Sequence, residues 1–392
     1  MKTIEDVELT GKKVLCRVDF NVPLNGSEVT DDTRIRAALP TIDHLVSKDA
    51  RVILMSHLGR PAGIGFEEEF SLKPVANYLA SLTGYHVIYA RDTIGEDAQE
   101  KVNSLENGDI LILENLRFDK RETQNDPGFS QKLADLADLY VNDAFGTAHR
   151  AHASTAGVAE LVPSYAGFLL AKEVETLNGM LENPQKPFVA IVGGSKVSDK
   201  VGVIDALIEK VDTLIIGGGM CFTFLLAQGY QVGTSLKEPE WTDRVLEMLA
   251  KAQEKGVSIL LPTDIVAADS FSESAHTQIV SIDAIPDDMM GLDIGPVTAE
   301  DYAQAIGEAG TVFWNGPMGV FEMKPFEHGT KRVAQAVAEN NEADTIIGGG
   351  DSVAAVNKYN MGDQMTFIST GGGASMELVQ GKNLPGVESL VH

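Results

Sequence analysis

The chain has 392 residues, of which 57 are acidic and 31 basic, giving a formal net charge of -26 with 44% hydrophobic residues. Such a surface repels nucleic acid and anionic membrane, which excludes both as natural partners, and the length points to two domains, each with its own core. With only Cys16 and Cys221, both inside apolar runs, there is no disulfide framework, and MKTIEDVELTGKK has no apolar leader while no later stretch reaches the roughly 18 apolar residues of a membrane span, so a cytoplasmic protein is expected.

In chain order, short apolar runs alternate with amphipathic stretches. The runs KKVLCRVDF (12–20), RVILMSH (51–57), HVIYA (86–90), DILILEN (109–115) and LYVNDAF (139–145) predict strands. DTRIRAALPTIDHLVSK (32–48) and PVANYLASLTG (74–84) predict helices between them. Residues 166–187, AGFLLAKEVETLNGMLENPQKP, predict a helix that stops before Pro184 and links two lobes. The rhythm then repeats in PFVAIVGG, DTLIIGGGM, VSILLPTDIVAAD, TVFWNGP, DTIIGGGDS and MTFISTGGG, each predicted as a strand with its following loop. This βαβ alternation predicts an α/β fold of two lobes, each a parallel sheet flanked by helices, joined by a helical hinge.

Ligands of open parallel sheets bind beyond the carboxyl ends of the strands. In the first half those ends carry Asp19 and Asn21, then His57 and Arg60, then Arg117, then Arg150, with Arg34 in the helix after the first loop. Guanidinium groups gathered at one mouth suit a small compound with several negative oxygens. His149 and His152, which flank Arg150, read as structural. The second half offers glycines instead, at 193–194, 217–219, 316, 348–350 and 371–373, whose backbone N–H groups suit the phosphates of a nucleotide. In IVGGSKVSDK (191–200), a helix beginning near Ser195 puts Lys196 and Lys200 on one face of its opening turns, where the macrodipole disfavours cations unless an anion is bound. Asp351 in IIGGGDS is either a magnesium ligand or an ordinary N-cap. Neither GxxxxGK[ST] nor a first-strand GxGxxG is present, which argues against a P-loop protein and against a dinucleotide dehydrogenase.

RVDFNVP (17–23), SHLGRP (56–61), ENLRF (114–118), NDAFGTAHRAHAST (142–155), GGSKVSDK (193–200), GGGM (217–220), LDIGP (292–296), WNGPMGVFE (314–322), GGGDS (348–352) and TGGGAS (370–375) together resemble the phosphoglycerate kinase family, in order along essentially the whole chain. The resemblance implies two Rossmann-like lobes: residues 1–165 for the triose, an interdomain helix at 166–187, a nucleotide lobe at 188–375, and a segment 376–392 that returns to the first lobe. It implies that Asp19, Phe20 and Asn21 contact the glycerate, that Arg34, His57, Arg60, Arg117 and Arg150 hold its charges, and that Leu58 and Gly59 line the same pocket. On the other lobe it implies Lys196 and Lys200 at the nucleotide phosphates, Gly217 and Gly218 on the adenine side, and Asn315 and Glu322 at the nucleoside end. Gly349, Gly350, Asp351 and Ser352 then meet the phosphates, with Mg2+ on Asp351. Arg34, Lys196, Gly372 and Gly373 are the implied catalytic set. The implied reaction is reversible transfer between ATP and the carboxylate of 3-phosphoglycerate, giving 1,3-bisphosphoglycerate and ADP, in a monomer. FEMKPFEHGT (321–330) departs from the family pattern and reads as a variable surface loop.

The two residue sets lie on separate lobes joined by a helix, while phosphoryl transfer needs reacting atoms brought to about 3 to 3.5 Å. Small-angle scattering with both substrates is therefore expected to show a more compact particle than with either alone; identical profiles in all three states would overturn that expectation.

Overall fold

The computed structural model describes residues 1–391 and divides into two compact units. The first comprises Met1–Glu175 with Asn383–His392, His392 itself lying outside the described residues; the second is Thr176–Lys382.

The strands of the first unit are β1 Lys13–Arg17, β2 Leu24–Asn25, β3 Glu28–Val29, β4 Arg51–Met55, β5 Val87–Tyr89, β6 Ile110–Ile112, β7 Leu139–Asn142 and β8 Ser164–Ala166. Six of them form one parallel sheet in the order β5-β6-β4-β1-β7-β8, and β2 and β3 make a small antiparallel ribbon. RVILM of β4 is buried from its second residue onward, as a strand with helices on both faces must be. The helices Thr33–Ser47 and Lys73–Thr83 fall where the periodicity puts them, and their buried Ile35, Ile42, Val75 and Leu79 join one core with Val14, Cys16 and Leu54 of the sheet.

The second unit carries β9 Phe188–Val192, β10 Thr213–Ile216, β11 Ser258–Leu260, β12 Asp264–Ala268, β13 Thr277–Ser281, β14 Met290–Ile294, β15 Thr311–Asn315, β16 Asp344–Ile347 and β17 Phe367–Ile368. Its parallel sheet runs β11-β10-β9-β15-β16-β17. A separate antiparallel sheet, β13-β12-β14, is an element the sequence reading lacks. VSILLPTDIVAAD is accordingly two strands in two sheets. Pro262 has no N–H to give a ladder, so the run breaks there, and β12 starts anew at Asp264.

The linking helix is Phe168–Glu182, and it passes from the first unit to the second between Glu175 and Thr176. Its first turn is tied down in the first unit, where Asp143 accepts from the Leu169 N–H at 2.9 Å and Thr41 accepts from the Phe168 N–H at 3.0 Å. At the other end of the chain the return to the first unit begins at Asn383, not at residue 376, because the helix Gly373–Val379 packs on the helix Val201–Ile208 of the second unit. Gly386 then donates its N–H to the Ala148 carbonyl at 2.8 Å, and its own carbonyl accepts from Asn142 at 3.1 Å.

The segment 321–330 is not a surface loop. Phe326 and Thr330 are fully buried and Phe321 nearly so, Thr330 accepts from the Met318 N–H at 3.0 Å, and Glu327 pairs with Lys358 at 3.0 Å. The residues that depart from the family pattern, Glu327 and His328, are half-buried and exposed, while Phe321, Phe326 and Thr330 of the same segment are packed. Phe326→Ala is expected to destabilise the protein by about 3–5 kcal/mol, as other buried Phe truncations do, seen as a lower urea midpoint; an unchanged midpoint would restore the surface-loop reading.

Candidate active site

In the first unit β1 has β4 on one side and β7 on the other, so the loops that follow these strands diverge and leave a crevice. Beyond β1, Asp19 accepts from Arg34 Nη1 and from the Asn21 N–H, each at 3.3 Å, and Arg34 also donates to the Asn21 carbonyl at 3.0 Å. Asn21 accepts from the Gly59 N–H at 2.9 Å, which ties the loop after β1 to the loop after β4. Gly59 has φ +61°, and a Cβ there would collide with the Phe70 ring, so the turn requires glycine. Arg117 donates to the Gly59 carbonyl at 3.0 Å, while Asn115 holds Leu58 from both sides, accepting from its N–H at 3.2 Å and donating to its carbonyl at 2.7 Å. Phe20 is corrected from a ligand contact to a core anchor: it is fully buried, and its N–H donates to Ser56 Oγ at 2.9 Å.

The electrostatics bring the basic residues together. Burial, then Arg17, Arg117, Arg34 and Arg150, hold the His57 pKa well below its ordinary value, so His57 is neutral and not one of the charges that hold an anion. Arg117 itself is lowered to about 10 by burial and by Arg17 and Arg150, with Arg60 adding to the crowding. His152 falls to about 4 from the same causes, burial first. Arg60 and Arg150 are exposed at the rim. Arg17 is the residue that sequence reasoning passed over; the signal was a cation inside the apolar run KKVLCRVDF. It is buried, as are its neighbours Glu122 and Ser154.

In the second unit β9 has β10 on one side and β15 on the other, the same reversal of direction. The Gly193 N–H donates to the Asn315 carbonyl at 2.8 Å, and a Cβ on Gly193 would collide with the Pro317 carbonyl, so glycine lets the two strand ends meet. Buried Asn315 accepts from Lys200 Nζ at 2.5 Å and donates to the Gly348 carbonyl at 2.9 Å. Ser352, also buried, accepts from the Gly316 N–H at 2.6 Å. A cavity of about 730 Å³ is lined by Gly218, Glu322 and Asp351 of the expected residues, and by Leu236, Phe271, Leu292, Met318 and Val320, which the sequence reading did not single out. Asn315 and Ser352 scaffold its mouth without lining it, and neither does Gly217.

Two expectations about helix starts change. A 3-10 turn, Val197–Asp199, separates the lysines, and the helix begins only at Val201. Lys196 is therefore exposed on extended backbone, while Lys200 alone caps the helix, its pKa lowered by burial against the pull of Asp351 and Asp199. Gly349, not Asp351, is the N-cap of the helix Gly350–Lys358; Asp351 lies exposed in its first turn, and no side-chain hydrogen bond engages it among the described residues. Gly372 caps the helix Gly373–Val379 without a side-chain bond. Both cysteines are buried free thiols. No helix among the described residues is long and apolar enough to cross a membrane.

The phosphoglycerate kinase family model matches residues 4–382. A phosphoglycerate kinase of Moorella thermoacetica is 57% identical over 388 residues, covering 99% of this chain and 98% of the relative, and one of Herpetosiphon aurantiacus is 55% identical over 390 residues at the same coverage. The solved phosphoglycerate kinase of Coxiella burnetii superposes with a TM-score of 0.91 at 46% identity, covering 99% of this chain and 98% of that one. That of Pyrococcus horikoshii gives 0.85 at 32% identity, covering 100% and 98%. With strand ends, sheet order and near full-length identity in agreement, the chain belongs to the phosphoglycerate kinase family.

Proposed function

We infer that the basic mouth of the first unit holds 3-phosphoglycerate or 1,3-bisphosphoglycerate, that the cavity of the second holds ATP or ADP, and that this chain carries out the family's reversible phosphoryl transfer between them. The observation that carries this reading is the partition of charge. In one unit the charges of four arginines bear on a buried neutral histidine; in the other, glycine turns and a free carboxylate line a largely apolar cavity, with half-buried Lys200 attracted by that carboxylate.

Asp19 and Asn21 are suited to the glycerate hydroxyl, with Phe20 bracing them from the core. Arg34, Arg60, Arg117 and Arg150 supply charge-assisted donors to the carboxylate and phosphate, and His57 with the backbone at Leu58 and Gly59 completes the wall. Arg34 reaches the site already oriented by Asp19. On the nucleotide side, Gly217 and Gly218 leave room for the adenine, Glu322 faces the nucleoside end, and Asn315 acts there by orienting Lys200. Gly349, Gly350 and Ser352 lie at the phosphates. Gly372 and Gly373 present backbone N–H groups, and Lys196, exposed on extended backbone, follows the moving phosphoryl group.

The residues suit Mg2+ at Asp351. Its carboxylate is unengaged, and the described residues hold no cluster of three or more His, Cys, Asp or Glu that could cage a metal, as fits an ion bound mainly through one carboxylate, substrate phosphates and water. When bound, Mg2+ neutralises charge on the phosphate oxygens.

The nucleophile is a carboxylate in one direction and an ADP oxygen in the other, both ionised near neutral pH, so no general base is required. Catalysis then rests on alignment and on fixed positive charge around the transferring group. The setting is cytoplasmic and the chain acts as a monomer.

The direct test is turnover with ATP, Mg2+ and 3-phosphoglycerate, coupled to reduction of the acyl phosphate; no Mg2+-dependent signal would remove the reading. A cation that meets the phosphoryl group chiefly in the transition state affects turnover more than affinity. Lys196→Met is expected to lower kcat by about 10²- to 10³-fold, by analogy with loss of one preorganised donor, with a modest change in nucleotide KM. Near-normal kcat would end the catalytic assignment of Lys196.

A further inference from the structure

Beneath the mouth of the first unit, Arg17 is held by every nitrogen of its guanidinium. Nε donates to Ser154 Oγ at 2.9 Å, Nη1 donates to the Val18 carbonyl at 2.6 Å, and Nη2 meets His57 Nδ1 at 3.2 Å. Ser154 in turn donates from Oγ to Glu122 Oε1 at 2.6 Å and from its N–H to Oε2 at 3.2 Å. Arg17 and Glu122 are each only 1% exposed. The guanidinium is thus fixed from behind by a buried carboxylate acting through a serine.

A guanidinium has five N–H donors and no acceptor, so the ring nitrogen facing it must accept. His57 Nδ1 accepts only when it bears no hydrogen, which leaves a neutral ring with its proton on Nε2. An imidazolium, or the other tautomer, would set two N–H groups head to head. We propose that Arg17 is a positioning residue that locks His57 as the neutral Nε2–H tautomer, so that His57 offers the bound anion one oriented hydrogen-bond donor and no charge. This rests on the reading of the first-unit mouth as the triose site.

The surroundings act in the same sense. The charges bearing on the ring are Arg17 at the end of β1, Arg34 from the helix Thr33–Ser47, Arg117 from the 3-10 turn Leu116–Phe118 and Arg150 after β7, all positive. The neighbouring carboxylates are already taken, Asp19 by Arg34 and the Asn21 N–H, and Glu122 by Ser154. The ring therefore stays neutral where an ordinary histidine titrates. A ring free to exchange tautomers would turn a lone pair toward the carboxylate or phosphate oxygens for part of the time and repel them. With the tautomer fixed, the arginines alone set the charge of the mouth, and His57 adds direction.

The test is 15N NMR of the full chain labelled at histidine, without substrate, with His57 assigned from the resonance lost in His57→Gln. The native protein is expected to show an unprotonated Nδ1 and a protonated Nε2, unchanged from about pH 5 to pH 8. In Arg17→Met the ring is expected to show both neutral tautomers, since burial, Arg117, Arg34 and Arg150 still disfavour its charged form. Arg17→Lys, whose ammonium is also donor-only, is expected to keep the Nε2–H form. If Arg17→Met fails to fold with Glu122 left uncompensated, the native spectrum and Arg17→Lys still decide. A protonated Nδ1 in the native protein, its titration near the ordinary value of about 6.5, or an Arg17→Met spectrum identical to the native one overturns the proposal. Because no triose is present, loss of the lock leaves the triose reading standing, and absence of triose turnover leaves the lock standing.

Discussion

The anion mouth of the first unit depends on a compensated burial. An ionised group moved from water into a protein interior is costly unless it is paired and hydrogen-bonded, and removal of one partner strands the other. Arg17 and Glu122 meet that requirement through Ser154, with burial raising the Glu122 pKa and Arg17 the largest influence opposing it. With Arg17 fixed, further guanidinium groups crowd over it, to the point that Arg117 is lowered to about 10. Such a mouth carries mutual repulsion when empty, and an anion with several oxygens relieves it.

The second unit solves a different recognition problem by different means. Its cavity is lined largely by apolar side chains and backbone, a lining suited to a flat base. Its charged lining residues are Asp293, Glu322 and Asp351, and Lys200, oriented by buried Asn315, is attracted by Asp351. The contrast matches the two substrates of the proposed reaction: a triose bearing a carboxylate and a phosphate has little apolar surface to bury, whereas a nucleotide presents a base at one end and phosphates at the other. Paired guanidinium donors suit the first, and backbone N–H groups with a mobile cation suit the second.

The linking helix belongs to this economy of fixed elements. Asp143, fully buried at the end of β7 with its pKa raised to about 7 by burial, accepts from the N–H groups of the first helical turn. A carboxylate at a helix start is favoured by the macrodipole. The same loop region receives the chain's C-terminal segment through Ala148 and Asn142, so the exit of the linking helix and the returning chain share one support in the first unit.

Much of this was legible in the residues. Alternating apolar runs dictate parallel strands and intervening helices, and parallel strands place all their carboxyl ends at one edge, so the polar residues just after each run had to converge whatever the loop details. That constraint is why Asp19, His57, Arg117 and Arg150 could be grouped from sequence, and why glycines marked the other site. Tertiary structure alone decided the remainder, because burial and partner geometry are not local properties. Phe20 is core because its ring is fully buried; the 321–330 segment is partly packed because Phe326 finds a core; VSILLPTDIVAAD divides because Pro262 separates β11, which pairs with β10, from β12, which pairs with β13 and β14. A lone arginine in an apolar run gives no hint of its neighbours, and only the approach of residues 122 and 154 to residue 17 turns it into the buried cation on which the site is built.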